Sequence, residues 1–108
     1  RSRHNGHIIK EKHMNTGYDK NGYITDYSKL NSFDKAQLDN AMEALDDYCY
    51  DHGYEGVDFL VETRIDGSHI IGSAVIVVYQ EGSDKESIAI EYSVDFYGNI
   101  TITNSYKV

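Results

Sequence analysis

The sequence predicts an α+β fold in which one helix packs on a four-stranded antiparallel meander sheet. Three observations carry that prediction. One stretch, over residues 31–53, places apolar residues at helical spacing. Four later stretches alternate or run apolar over strand lengths, with glycine-containing turns between them. At 108 residues the chain is sized for one domain with one core.

The elements follow in chain order. Residues 1–6, Arg1-Ser2-Arg3-His4-Asn5-Gly6, are polar and aperiodic and read as a flexible basic tail, which leaves residues 7–108 as a single α+β domain. His7 to Met14 includes Ile8 and Ile9 and has the composition of a short extra N-terminal strand. Asn15 to Asn31 is turn-rich, yet it carries Tyr18, Tyr23, Ile24, Tyr27 and Leu30. Asn21-Gly22 is a type I′ hairpin signal, so this stretch reads as an irregular, hairpin-like cover for one face of the sheet.

The helix has a start, a stripe and a stop. Asn31 or Ser32 can cap its N-terminus, and Asp34 in the first turn suits the positive end of the helix dipole. Leu38, Ala41, Met42, Leu45, Tyr48 and Cys49 then mark one buried face, and Gly53 supplies a C-terminal stop.

Four strands complete the prediction. Val57, Phe59, Val61, Thr63 and Ile65 alternate with polar neighbours and Leu60, the pattern of a half-buried strand. After Asp66-Gly67, Ile70 to Tyr79 is nearly all apolar and reads as a central strand covered on both faces. After the turn at Glu81-Gly82-Ser83-Asp84, Ile88, Ile90, Tyr92, Val94 and Phe96 share one face. Gly98-Asn99 makes the last turn, and Ile100, Ile102 and Tyr106 finish the sheet. With a strand ahead of the helix, this order resembles cystatin-like and related helix-on-sheet folds, which host many unrelated functions.

Composition narrows the classes of function. No apolar run approaches the ~18 residues of a membrane span, so no membrane partner is expected. No signal-peptide pattern is legible at the start, a property a processed chain shares. The single cysteine, Cys49, excludes an intramolecular disulfide and a thiolate-rich zinc site, and favours a reducing compartment. Tyrosine occurs ten times, while proline and tryptophan are absent; tyrosine rings suit a core edge or an interface.

No motif announces catalysis. Cys49 and His52 lie one helical turn apart, but Cys49 falls on the apolar stripe, where a thiol is inert packing. His4, His7 and His13 offer imidazoles to a metal without the fixed partners that a rigid site needs. Asp19 to Thr25 resembles the middle of an EF-hand loop, but the alignment puts Gly17 first and Ser28 twelfth, so the bidentate acid is missing. Phosphate-cradling glycine loops and nucleophile elbows are absent. The expectation is a non-enzyme with no cofactor and no metal.

Charge is the feature with most information. Residues 1–13 hold Arg1, Arg3, Lys10 and Lys12 against Glu11, a net of +3, while the remaining 95 residues hold 6 basic and 17 acidic side chains, a net of −11. On the helix, opposite the apolar stripe, stand Asp39, Glu43, Asp47 and Asp51 at four-residue spacing, with Asp46 and Tyr50 among them; Glu55 and Asp58 extend the run. Lys35 is the one base in the helix, and like charges at this spacing repel. Two readings stand: a solvated face on an acidic protein, or a surface shaped for a basic partner, with carboxylates on a rod replacing a phosphate backbone.

The opening Arg1-Ser2-Arg3-His4-Asn5-Gly6 resembles the basic N-terminal tail of phage-encoded type II anti-CRISPR proteins, and the small acidic body is similar to inhibitors that occupy the nucleic-acid surfaces of Cas9. The resemblance covers six residues and stops after Gly6. It implies a non-enzymatic inhibitor acting in the cytoplasm of a bacterial host. Its protein partner would be basic and nucleic-acid-binding, with Cas9 the named candidate. From the helix spacing and the charge of the tail, the partner-binding residues are expected to be Asp39, Glu43, Asp46, Asp47, Tyr50 and Asp51, with Arg1 and Arg3 touching RNA or DNA. A toxin-neutralising immunity protein and an exported macromolecule-binding module are the alternatives.

Overall fold

The computed structural model describes residues 16–108 and has the α+β architecture expected, one helix packed against a four-stranded antiparallel sheet. The expected basic tail, the short strand at His7 to Met14 and the clustered histidines lie outside the described residues. A 3₁₀ turn at Tyr27–Lys29 leads into helix α1 (Ser32–Asp51). Strands β1 (Gly56–Asp66), β2 (His69–Glu81), β3 (Asp84–Val94) and β4 (Ile100–Lys107) follow and pair in sequence order.

Helix α1 starts and stops where its residues require. The Asn31 side chain accepts a hydrogen bond from Asp34 N–H at 2.8 Å, satisfying one of the orphan amides of the first turn. At the other end Gly53 takes φ 71°, in the left-handed region, and Tyr54 N–H reaches back to the Cys49 carbonyl. Leu38, Ala41, Ala44, Leu45 and Cys49 are buried, and Met42 and Tyr48 pack half-buried beside them. Gln37 is also buried, at 5% exposure, a position the apolar pattern does not reveal.

The inner face of the sheet presents apolar rows to the helix. Ile65, Ile70, Val94 and Ile100 lie side by side across all four strands, and Leu60, Ala74 and Ile90 form a second row. Ile70, Ile76, Ile90, Tyr92 and Val94 have 0–1% of their surface exposed. Each such side chain stabilises the fold by about 1.5–3 kcal/mol relative to full exposure.

Strand β1 departs from simple alternation. Its register against β2 slips between Val57 and Phe59 and again between Val61 and Arg64. Each slip inserts one residue and moves the following side chains to the other face. Val57, Leu60 and Ile65 therefore pack on the core, while Phe59, expected beside Val57, is 52% exposed on the far side. Glu62, inside the second slip, is the one described non-glycine residue with positive φ, at 49°.

Two further expectations are corrected and one is refined. Helix α1 covers one face of β2; no second helix lies on the other face among the described residues, although Val77 and Ala89 on that side are buried. That outer face carries an apolar row across the sheet, Phe59–Val75–Ala89–Tyr106, with half-exposed rings at both ends. Strand β3 ends at Val94, so Phe96 leaves the strand pattern and stands 54% exposed in the following turn. At Asn21-Gly22 the turn is not type I′, which needs positive φ at both residues; Gly22 alone is left-handed. Asp19 closes it instead, accepting from Asn21 N–H at 2.8 Å and Tyr23 N–H at 3.0 Å.

The stretch before the helix docks at an edge of the sheet. Tyr18 and Ile24 form a bridge, and Ile24 N–H donates to Thr63 carbonyl on β1 at 2.7 Å. The Tyr18 hydroxyl reaches across to the Asp34 carboxylate in the first turn of α1. Gly17 holds the arrangement together: its carbonyl accepts from Thr25 and Asp26 N–H, and its φ is 85°. A Cβ there would stand 2.5 Å from the Asp26 carbonyl oxygen and 3.0 Å from Leu30 Cδ2.

Two glycine substitutions separate strain from crowding. Gly53→Ala meets nothing within 4 Å and suffers only the left-handed backbone, so it should cost about 1 kcal/mol. Gly17→Ala adds a backbone collision and should cost about 2–3 kcal/mol. Thermal melts should show the Gly17→Ala midpoint several degrees below that of Gly53→Ala; equal midpoints would mean that the 16–30 stretch does not brace the helix.

Candidate acidic interface

The carboxylates singled out on α1 come together on one side of one rigid rod. Asp39, Glu43, Asp46, Asp47 and Asp51 are all exposed, as is Tyr50 at 85%. Successive members of the four-residue series rise about 6 Å along the axis, so Asp39 to Asp51 spans about 18 Å. Among the described residues no salt bridge reaches any of these five. The ion pairs present lie elsewhere, at Lys29–Asp26, Arg64–Asp66 and Lys85–Asp58.

One end of the row is held and the rest is not. The Tyr27 hydroxyl donates to Asp39 Oδ2 at 3.0 Å, and Lys35 Nζ lies 5.6 Å from the centre of the same Tyr27 ring. The bond to Asp39 raises the pKa of the Tyr27 phenol above its ordinary value. Lys35, the one base in the helix, is thereby placed over an aromatic face. Asp58, expected to extend the acidic run, does not join it: it sits at the first slip of β1 and pairs with Lys85 Nζ at 2.8 Å. Arg1 and Arg3 lie outside the described residues.

The other constellations resolve into structure. Cys49 is 2% exposed, and burial first, then the nearby Asp46 charge, raise its thiol pKa. No hydrogen bond joins it to His52, whose Nδ1 lies 2.9 Å from the Tyr48 carbonyl oxygen and whose ring packs between Tyr48 and Tyr54. Thr63 Oγ1 and Tyr92 Oη are both buried, and burial pushes the Tyr92 phenol above its ordinary value. Among the described residues no group of three or more His, Cys, Asp or Glu side chains is arranged to hold a metal ion. No described helix is long and apolar enough to cross a membrane.

A second surface feature escaped the sequence pattern. Phe33 and Phe96, 57% and 54% exposed, stack with ring centroids 6.1 Å apart beside α1, and Tyr97 next to them is 85% exposed. The signal available was negative: Phe33 falls off the apolar stripe of the helix and Phe96 is followed at once by turn residues. Set against known protein-family models, curated proteins and solved structures, the chain matches none.

Cys49 provides a direct check on this assignment of roles. Its thiol is buried and its pKa raised, so thiolate is scarce at neutral pH and a disulfide-exchange reagent should label the native protein far more slowly than the urea-unfolded protein. Cys49→Ala should cost about 1 kcal/mol by leaving a small void. Equal labelling rates in the two states would contradict the packing role.

Proposed function

We propose that the chain is a non-enzymatic inhibitor that binds a basic, nucleic-acid-processing protein through the acidic face of α1. One observation carries the reading. Five exposed carboxylates stand on one helix without an ion-pair partner among the described residues, while the opposite side of that helix is consumed by the core. Each like-charged pair at four-residue spacing costs about 0.2–0.5 kcal/mol of helix stability. A row kept against that cost suits a partner that supplies the missing positive charge.

The mechanism is competitive. A rod of carboxylates about 18 Å long presents regularly spaced negative charge, as a nucleic-acid strand does, to a groove lined with Arg and Lys. Long-range attraction speeds encounter, and the groove once filled excludes its natural ligand. Tyr50, exposed among the acids, adds a flat amphipathic ring of the kind enriched at interfaces. The basic residues Arg1 and Arg3 would touch the RNA or DNA that such a partner carries. The resemblance of the first six residues to type II anti-CRISPR tails makes Cas9 the target to assay first, with a bacterial cytoplasm as the setting.

The double variant Glu43→Lys/Asp47→Lys separates binding from folding. It removes repulsion, so its melting temperature should equal or exceed that of the wild type. Its association with the basic partner should slow by roughly tenfold or more at low salt, with a smaller effect at high salt. Cas9 cleavage of a matched DNA, run with wild type and variant, tests the named target. Unchanged cleavage with wild type across several type II Cas9 proteins would remove Cas9, and unchanged binding by the variant would remove the acidic face.

A further inference from the structure

Between α1 and the β3–β4 turn lies an open slot of about 250 Å³, lined by Phe33, Ala36, Gln37, Asn40 and Phe96. Two phenylalanine rings at its rim are more than half exposed. Exposed aromatic rings around a concavity are the usual make-up of an interface anchor site.

The slot is built before anything enters it. Asn40 Nδ2 donates to the carbonyls of Asp95 and Phe96 at 3.2 and 3.4 Å, which fastens the turn to the helix. Asp95 closes the turn from within: its Oδ1 accepts from Tyr97 and Asn99 N–H, each at 2.9 Å, and its Oδ2 accepts from Asn99 Nδ2 at 3.1 Å. Phe96 is therefore presented by a braced loop, so little order remains to be imposed on binding.

Gln37 contributes to the lining of the slot and is itself 5% exposed. The slot also leads into the acidic row. From Ala36 and Asn40, steps of three and four residues reach Glu43, Asp47 and Asp51 along the same line of the helix, about 4, 10 and 16 Å beyond Asn40.

We propose that the slot receives one apolar side chain from a basic segment of the protein partner. This segment runs along α1, and its arginine or lysine side chains meet Glu43, Asp47 and Asp51. The inference rests on the acidic-face reading and adds orientation to it: the apolar anchor lies at the N-terminal end of α1 and the basic residues follow toward its C-terminal end. Charge brings the partner in, and the anchor sets its register.

The test uses the full chain and two synthetic peptides of equal arginine and lysine content, one with a single tryptophan anchor and one with alanine in its place. The chain has no tryptophan, so peptide emission reports burial of the anchor directly. The anchored peptide should bind roughly tenfold tighter than its control, its emission should shift to the blue, and the Gln37 side-chain amide resonances should move. Phe33→Ala and Phe96→Ala, on separate elements and both at exposed positions, should each abolish that advantage and leave the control's affinity unchanged. Glu43→Lys/Asp47→Lys should weaken both peptides alike. Equal affinity of the two peptides, or an advantage that survives both phenylalanine variants, overturns the slot and leaves the acidic face standing. Failure of both peptides to bind overturns the two together.

Discussion

Helix α1 packs on the inner face of a four-stranded sheet, and the other described elements are arranged around that contact. The contact is made by Ala41, Ala44, Leu45 and Cys49 on α1 against Ile70, Ala74, Ile76, Ile90, Tyr92 and Val94. With no second helix among the described residues to share the task, one side of α1 is committed to the core along its length. The residues of the opposite side are then released from any packing duty. They can be chosen for charge at little structural penalty beyond their mutual repulsion. The 16–30 stretch and the β3–β4 turn serve the same contact from its two flanks: Tyr18 ties the first to Asp34, and Asn40 ties the second to the middle of the helix.

How much of this was legible in the sequence depended on how local each feature is. The helix, its Asn31 cap and its Gly53 stop could be read because each rests on residues within a few positions of one another. The order of the strands and their turns was readable for the same reason. Strand β1 was misread because a one-residue bulge adds a residue without breaking hydrophobic character. Phe59 and Leu60 thus exchange faces at the first slip with no local mark, and the left-handed backbone of Glu62 at the second is invisible in its identity. The acidic row was read from spacing alone, since a helix converts four-residue steps into a line. The slot could not be read, because Phe33 and Phe96 meet only after the sheet has formed and brought the last turn beside the first turn of the helix. Asp58 was misassigned for a related reason: its partner, Lys85, lies on another strand.

The functional proposal joins the two surface features that folding leaves unused. Negative charge on α1 attracts over distance but specifies little, because many basic surfaces answer to it. An apolar slot specifies shape but acts only at contact. Set in one line on one helix, they divide recognition into approach and register. The sheet's outer row, Phe59–Val75–Ala89–Tyr106, stands apart from both, since it faces away from α1.

The proposed function depends on Asp39, Glu43, Asp46, Asp47 and Asp51 having no ion-pair partner among the described residues. The most direct measurement is the urea midpoint of the isolated protein as sodium chloride is raised from about 0.02 to about 0.3 M, over which the screening length falls severalfold. Unpaired acids repel, so the wild-type midpoint should rise with salt, and the rise should shrink in Glu43→Gln/Asp47→Asn. A wild-type midpoint that stays level or falls would mean that these carboxylates already have partners in the folded chain, and would contradict the account at its base.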